Sequence, residues 1–133
     1  MLRNVAAGAL ITVIAAFSLE TLQRNAIWRN PVALWQESVD LAPRHPRPRL
    51  LLAESLQDAG RWDEAVEQCR IAVELRPTDP TAHVSLGRAL AFRGQWSDAN
   101  AQFQRALQLD PKNVLAQRAI ATLDRVKGRL ASQ

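Results

Sequence analysis

The sequence predicts an all-α protein in which an apolar N-terminal helix precedes a short solenoid of antiparallel helix pairs. Three observations predict this fold class. A 34-residue pattern recurs within the chain, glycines and prolines interrupt each copy at fixed offsets, and residues 5–19 carry no charge. Because one helix pair cannot bury its apolar face alone, successive pairs must stack on one another.

The apolar segment at residues 5–19 reads VAAGALITVIAAFSL, with Arg3 before it and Glu20 after it. A helix of this length is about 22 Å long, somewhat shorter than the hydrocarbon core of a bilayer. We expect a transmembrane anchor, and Arg3 favours a cytoplasmic N-terminus. Two alternatives stay open, namely a cleaved signal peptide that uses Ala16-Phe17-Ser18 as its cleavage site and a helix buried in a soluble core.

The repeat becomes visible when residues 46–79 are aligned with residues 80–113. The identical positions are mainly large apolar, small, glycine and proline residues, which are the positions that determine how helices pack. They are Pro46/Pro80, Leu52/Leu86, Leu56/Leu90, Gly60/Gly94, Trp62/Trp96, Ala65/Ala99, Gln68/Gln102, Ala72/Ala106, Leu75/Leu109 and Pro77/Pro111.

Each copy is expected to form two helices separated by a glycine turn. In the first copy these helices run from Pro46 to about Ala59 and from Glu64 to Leu75. Small residues allow two backbones to approach closely, and larger ones such as Leu75 are expected to fill the space around them. The predicted N-caps are Asp63, Asp79 and Ser97, Pro80 takes the first helical position, and the predicted breaks are Gly60, Pro77, Gly94 and Pro111.

The same period continues on both sides of the two copies. Backwards, residues 30–43 match the second helix of an incomplete repeat that Asn30 caps. Forwards, Asn113 is expected to cap a final helix, Val114 to about Leu130, whose outer face is polar and closes the stack. The predicted organisation is an anchor helix with its extension (1–27), an incomplete unit and linker (28–45), two full units (46–79 and 80–113) and a capping helix (114–133).

The two full units resemble the tetratricopeptide repeat family. The chain departs from the family pattern at Cys69, which replaces an aromatic residue, and at Arg49 and His83, where Trp is common. We interpret Cys69 as a buried core thiol and His83 as a packing residue, the alternatives being a reactive thiol and an acid–base group. The matching residues are Leu52-Ala53, Gly60, Trp62, Ala65, Cys69, Ala72 and Pro77, then Leu86-Gly87, Gly94, Trp96, Ala99, Phe103, Ala106 and Pro111.

A second resemblance lies in residues 21–49. This segment is similar to the C-terminal part of bacterial membrane glycosyltransferase-like proteins, which are related to O-mannosyltransferases that use lipid-linked sugars. The resemblance implies a single-pass protein of the bacterial inner membrane with its repeats on the periplasmic side, or a non-catalytic tail or remnant of such an enzyme. The family's catalytic acidic residues correspond to no residue of this sequence. The matching residues are Arg24-Asn25, Trp28, Arg29-Asn30, Leu34-Trp35, Val39 and Pro43.

Little in the sequence supports catalysis, a cofactor or a metal. The chain has one cysteine and two histidines, and it contains no GxGxxG or GxxxxGK motif and no paired carboxylates at a suggestive spacing. We therefore expect no enzyme activity, no cofactor and no metal site. The net charge of +4 is spread along the chain without interleaved aromatic residues, so we expect no nucleic-acid binding either.

The resemblance to tetratricopeptide repeats implies that the first helix of each unit lines a concave surface for a protein or peptide partner. We expect three arginines on this surface to meet acidic groups through charge-assisted hydrogen bonds, and Leu50 and Phe92 to add apolar contact. The alternative is that these residues form an ordinary solvated helix face. The candidate residues are Leu50, Glu54, Arg88, Phe92, Arg118 and Arg125, with Arg47, Gln57, Asp58, Val84, Ser85, Ala91 and Thr122 on the same face. The function expected from the sequence is a membrane-anchored interaction scaffold.

Overall fold

The structure, a computed structural model, describes residues 30–131, with side chains through Arg129. The chain divides into two compact units, residues 1–34 and 35–133, and of the first only residues 30–34 are described. The predicted apolar helix at residues 5–19 lies outside the described residues. Within residues 30–131, no helix has both the length and the apolarity that crossing a bilayer requires.

The described residues form helices and no strand. The first of them, α1, corresponds to the helix predicted at residues 30–43 in the incomplete unit. Helices α2 to α5 form the two full units, and α6 is the predicted final helix. Their bounds are α1 Pro31–Leu41, α2 Pro46–Asp58, α3 Trp62–Leu75, α4 Pro80–Phe92, α5 Trp96–Leu109 and α6 Val114–Ala131.

The four central helices form two stacked pairs. Helix α2 packs on α3 and α4 packs on α5, while α3 also contacts α4 and α5 contacts α6. The first helices of successive units touch as well, α2 with α4 and α4 with α6. The inner layer therefore consists of α2, α4 and α6, and α6 takes the place of the first helix of a third unit. The predicted all-α stack of helix pairs is confirmed.

Three of the predicted N-caps are confirmed. The side chain of Asp79 accepts a hydrogen bond from the Thr81 backbone N–H at 2.9 Å, with Pro80 at the first helical position. Asn30 and Asn113 accept in the same way from residues 33 and 116, at 3.3 and 3.0 Å. Each cap satisfies a backbone N–H that has no partner within the helix.

The predicted N-caps Asp63 and Ser97 are wrong. Helices α3 and α5 start at Trp62 and Trp96, two residues earlier than these caps would require, and no side chain of the described residues caps them. The cause is the preceding turn, in which Gly60 has φ 73° and the Arg61 N–H donates to the Leu56 carbonyl at 2.8 Å. This is the Schellman geometry, and it reverses the chain so tightly that the next helix begins at once.

The core lies between the helices of each pair. Its largest fully buried side chains are Leu52, Cys69 and Phe103, and the alanines at 65, 72, 99 and 106 are completely buried. The predicted close contacts at small residues are therefore confirmed. Leu75, however, is 38% exposed because it ends α3 at a corner of the stack, so the prediction that it fills the core is wrong.

Cys69 is a core residue, as predicted. Its side chain is completely buried in α3. Burial raises the pKa of the Cys69 thiol to about 12, and the positive charge of Arg88 opposes this shift only in part. The thiol is therefore protonated at neutral pH, and a buried protonated thiol is a poor nucleophile.

One hydrogen bond recurs at each corner of the stack, always to the carbonyl of a proline that ends a unit. The donor changes from arginine to histidine to glutamine, but the three donors are 34 residues apart. In the first two units the same side chain also meets a glutamine of the second helix, at 2.9 Å for Arg49–Gln68 and 2.8 Å for His83–Gln102. The corner bonds are Arg49 Nη2 to Pro43 (2.9 Å), His83 Nε2 to Pro77 (2.9 Å) and Gln117 Nε2 to Pro111 (3.0 Å).

The corner bond also decides the role of His83. The ring is buried, and both of its nitrogens are within hydrogen-bond distance of neighbouring groups, Pro77 and Gln102. Nε2 lies 2.9 Å from the Pro77 carbonyl oxygen and Nδ1 lies 2.8 Å from Gln102 Oε1, so both nitrogens make contacts within the stack. The burial of the ring and these two contacts confirm the predicted packing role.

Gly87 marks the closest approach of α4 to α5. A Cβ added at this position would lie 2.5–2.9 Å from three ring atoms of Phe103. Real Cβ contacts are longer than this, and Phe103 is too deeply buried to move away. The second unit therefore requires glycine at position 87 because of space and not because of backbone conformation.

We predict that Gly87→Ala lowers the free energy of unfolding by about 1–3 kcal/mol, since overpacking outweighs the better helix propensity of alanine. The matched control is Gly128→Ala, which is also helical but has no atom within 4 Å of the added Cβ. The control should be stabilised by about 0.5–1 kcal/mol. Urea unfolding followed by circular dichroism measures both, and equal shifts for the two variants would contradict this account of Gly87.

Candidate functional site

A groove on the inner layer contains several of the predicted binding residues. It has a volume of about 380 Å³ and lies mainly between α2 and α4, with Leu115 of α6 at one side. We call it the α2/α4 groove. The structure brings the predicted residues Leu50, Glu54 and Arg88 together here. The groove is lined by Pro46, Arg47, Leu50, Leu51, Glu54, Gln57, Arg76, Asp79, Thr81, Val84, Ser85, Arg88 and Leu115.

A second cavity adjoins the groove at Arg88. It has a volume of about 300 Å³, is mainly apolar and lies between α4, α5 and α6. We call it the Trp96 pocket. Phe92 lines it, so four of the six predicted residues lie around two adjoining cavities. The pocket is lined by Arg88, Ala91, Phe92, Trp96, Phe103, Ala119, Thr122, Leu123 and Val126.

Arg88 is the residue that the two cavities share. Its side chain is exposed, and among the residues that the structure describes no carboxylate pairs with its guanidinium. An unpaired guanidinium offers five N–H donors in a fixed planar arrangement that suits a carboxylate. Arg88 is therefore the best-placed group in the inner layer to bind an acidic ligand.

The charges along the α2/α4 groove are unequal. Arg47, Arg76 and Arg88 are basic, whereas the acidic residues are Glu54 and Asp79. Asp79 is already engaged as the N-cap of α4. The groove is therefore net positive, which favours a negatively charged ligand.

Arg118 and Arg125 lie on exposed surface of α6 and line neither cavity. The structure does not bring them next to Arg88 in one pocket. Their contact with an acidic ligand stays a prediction. The residues of α6 that do reach the cavities include Leu115 and Thr122.

Gln57 is a buried polar residue in the lining of the α2/α4 groove. It is 4% exposed, and its Oε1 has no hydrogen-bond partner among the residues that the structure describes. A buried acceptor without a partner costs about 1–3 kcal/mol. The equivalent residue one repeat later is Ala91, so the repeat fold does not require a polar side chain here. The sequence places Gln57 on the concave face, but its burial follows only from the packing of α2 against its neighbours.

Phe92 has two roles in the structure. Its ring stacks on Trp62, with centroids 4.2 Å apart and planes 7° from parallel. Next to it, Arg93 Nε lies 2.8 Å from Asp63 Oδ1, so an aromatic stack and an ion pair together join the end of α4 to the start of α3. Phe92 is nevertheless 65% exposed, because the rest of its surface faces the Trp96 pocket and solvent.

Six residues that line the α2/α4 groove were not among the candidates from the sequence, and four of them are the uncharged residues Pro46, Leu51, Thr81 and Leu115. The other two, Arg76 and Asp79, are charged. Both lie in the turn between α3 and α4 and not on a first helix. The helix periodicity used to find the concave face cannot indicate residues of a connecting turn. The expected stacking of the units could have indicated these two residues, because each connecting turn between units lies at the end of the groove that the first helices form.

Comparison with family models identifies both units. Two models, each described as tetratricopeptide repeat, match residues 46–89 and residues 80–113. These matches begin at residue 46, so they give no support to the glycosyltransferase-like resemblance of residues 21–49. A search of curated proteins found no match.

Solved structures share the fold at low sequence identity. The TPR domain of Arabidopsis OM64 is 21% identical with a TM-score of 0.70, over 80% of this chain and 88% of that domain. The first TPR of Spaghetti (RPAP3), bound to the HSP90 peptide SRMEEVD, is 17% identical with a TM-score of 0.71, over 82% and 86%. The second TPR domain of human RPAP3, in complex with the HSP70 peptide SGPTIEEVD, is 18% identical with a TM-score of 0.67, over 79% and 92%.

We predict that Gln57→Met raises the free energy of unfolding by about 1 kcal/mol, because it removes a buried acceptor that has no partner while keeping the side-chain length. The matched control is Gln102→Met, which removes the amide that meets His83 and should lower the free energy of unfolding by about 1–3 kcal/mol. Chemical denaturation measures both. A loss of stability in Gln57→Met would show that its amide already has a partner.

Proposed function

Residues 46–113 of this chain are tetratricopeptide repeats, and on this basis we propose that the protein is a non-catalytic scaffold that binds a peptide segment of a protein partner in the α2/α4 groove. Two of the structural neighbours are solved with bound peptides, SRMEEVD and SGPTIEEVD, each of which contains several acidic residues. The positive charge of the α2/α4 groove supports an acidic segment as the ligand of this chain also.

The observation that carries the proposal is the exposed guanidinium of Arg88 in a groove of net positive charge. No carboxylate among the described residues pairs with Arg88, and Arg47 and Arg76 line the same groove. An acidic side chain or the chain terminus of a peptide can accept hydrogen bonds from Arg88.

We predict that Arg88→Glu weakens the binding of an acidic peptide about 10- to 100-fold, because the substitution replaces a charge-assisted hydrogen bond with like-charge repulsion. Peptides are first selected from a random display library against the full chain in detergent. Their affinities are then measured by isothermal titration calorimetry at fixed ionic strength.

The matched control for Arg88→Glu is Arg70→Glu. Arg70 is exposed on α3 and lines neither the α2/α4 groove nor the Trp96 pocket. The control makes the same change of net charge, so it should alter affinity less than about threefold. If both variants lose affinity equally, the binding depends on overall charge and the groove is not the site.

We also propose that residues 5–19 anchor the scaffold in a membrane, with the repeats on the periplasmic side of a bacterial inner membrane. The support is the uninterrupted apolar run, which has Arg3 on its N-terminal side. A surface-bound helix of a soluble protein would be expected to show a polar stripe, and only Thr12 and Ser18 are available for one.

We predict that the full chain stays in the membrane pellet after washing with high salt and with alkaline carbonate, because a spanning helix is held by apolar burial and not by charge. Deletion of residues 5–19 should release the chain. Protease added to spheroplasts should digest the repeats. Release of the intact full-length chain by either wash would contradict the anchor, and protection from the protease would contradict the periplasmic orientation.

A further inference from the structure

Each of the two glycine turns is followed by a tryptophan, Trp62 after Gly60 and Trp96 after Gly94. We call the surroundings of Trp62 the first corner and those of Trp96 the second corner, which are distinct from the corners at the prolines that end the units. The two are equivalent by the 34-residue repeat but are filled by different side chains. In the first corner, Trp62 is covered by the ring of Phe92. The residue equivalent to Phe92 is Val126 of α6, and it lines a cavity together with Trp96. The second corner therefore has the tryptophan of the first corner without the aromatic ring that covers it.

The register of the 34-residue repeat extends into α6. Asn113 caps α6 as Asp79 caps α4. Gln117 donates to the Pro111 carbonyl as His83 does to the Pro77 carbonyl. Lys127 also lies beside Ser97 at the start of α5, as Arg93 lies beside Asp63 at the start of α3. Val126 thus occupies the structural position of Phe92, and the difference between the corners comes from the size of one side chain.

The Trp96 pocket has the size and chemistry of an aromatic-ring site. Its volume of about 300 Å³ exceeds the roughly 150 Å³ at which an engineered apolar cavity binds benzene. Its walls are largely apolar, with Phe103, Leu123 and Val126 among them. Arg88 is its one charged lining residue, so charge is available at a single side of an apolar cavity.

We propose that the Trp96 pocket receives an aromatic side chain of the bound peptide, which stacks on Trp96 as Phe92 stacks on Trp62, while a neighbouring carboxylate of the same peptide binds Arg88. This inference rests on the proposed function and specifies the ligand, namely an acidic segment that contains an aromatic residue. The internal repeat indicates the ring, and the unpaired guanidinium of Arg88 indicates the adjacent negative charge.

A ring is preferred over other apolar side chains for a physical reason. Leucine or methionine also removes apolar surface from water in the pocket, but neither can stack face to face with the indole of Trp96. The stacking contribution corresponds to an affinity difference of about 2- to 10-fold. Replacing the aromatic residue of the peptide with alanine should lower the affinity further, because the pocket would then make no apolar contact with the peptide.

The test uses the full chain in detergent and three blocked peptides, Asp-Phe-Asp and its versions with Leu or Ala at the centre. Binding is measured by chemical shifts of the tryptophan indole N–H groups. The Phe peptide should shift the Trp96 signal and bind about 10-fold or more tightly than the Ala peptide, with the Leu peptide between them. Trp62, which Phe92 already covers, is the internal control and should not shift.

The decisive variant is Val126→Phe, which places in the pocket the ring that the first corner already has. It should reduce the affinity for the Phe peptide to that for the Ala peptide and should raise the melting temperature by filling a cavity. The control is Val114→Phe, on an exposed position of α6 outside the pocket, which should leave the peptide ranking unchanged.

The outcomes separate this inference from the proposed function. If none of the three peptides binds the wild-type chain, or if Arg88→Glu leaves their binding unchanged, the proposed function is contradicted and this inference with it. If all three bind with equal affinity and depend on Arg88, the proposed function stands and the aromatic site is wrong. Unchanged Phe-peptide binding in a folded Val126→Phe variant, or an equal shift of Trp62 and Trp96 in the wild type, would also overturn the aromatic site.

Discussion

The close contact between α4 and α5 at Gly87 is the constraint on which the second unit depends. Because Gly87 has no Cβ, the ring of Phe103 lies directly against the backbone of α4. The contact determines which side of α4 faces α5. Arg88, the next residue, therefore lies on the neighbouring side of α4, where it borders both cavities. A packing requirement between two helices thus places the residue that is best suited to bind a ligand.

The corner hydrogen bonds keep successive units in register. Arginine, histidine and glutamine make the same bond to a proline carbonyl at equivalent positions, so the repeat preserves the donor and its position but not the residue type. The proline carbonyl follows the second helix of a unit, and the donor lies on the first helix of the next. Each bond therefore ties one unit to its successor, and the first helices align into a layer that can form a groove.

The candidate site arises where equivalent positions of the 34-residue repeat carry different residue types. Gln57 is a buried amide where the next unit has Ala91, and Val126 is small where the preceding unit has Phe92. Neither difference disturbs the helices, since the packing positions around them are unchanged. The fold tolerates both differences because these two residues line the groove and the pocket and do not lie in the contact between paired helices. The groove is polar beside Gln57 and the pocket is apolar beside Val126, and Arg88 lies between them.

The sequence by itself determined the helices and their pairing, because the 34-residue period, the glycine turns and the Asp79 and Asn113 caps can be read directly from it. The resemblance to tetratricopeptide repeats implied Leu50, Glu54 and Arg88 on one surface. Only the tertiary structure decided that Asp63 and Ser97 are not caps, that Leu75 is exposed and that the amide oxygen of Gln57 is buried without a partner. It alone also showed that no described carboxylate pairs with Arg88 and that Val126 leaves a pocket beside Trp96. These properties depend on side chains from several helices that are distant in sequence, and their combined volumes and charges cannot be derived from the pattern of any one helix.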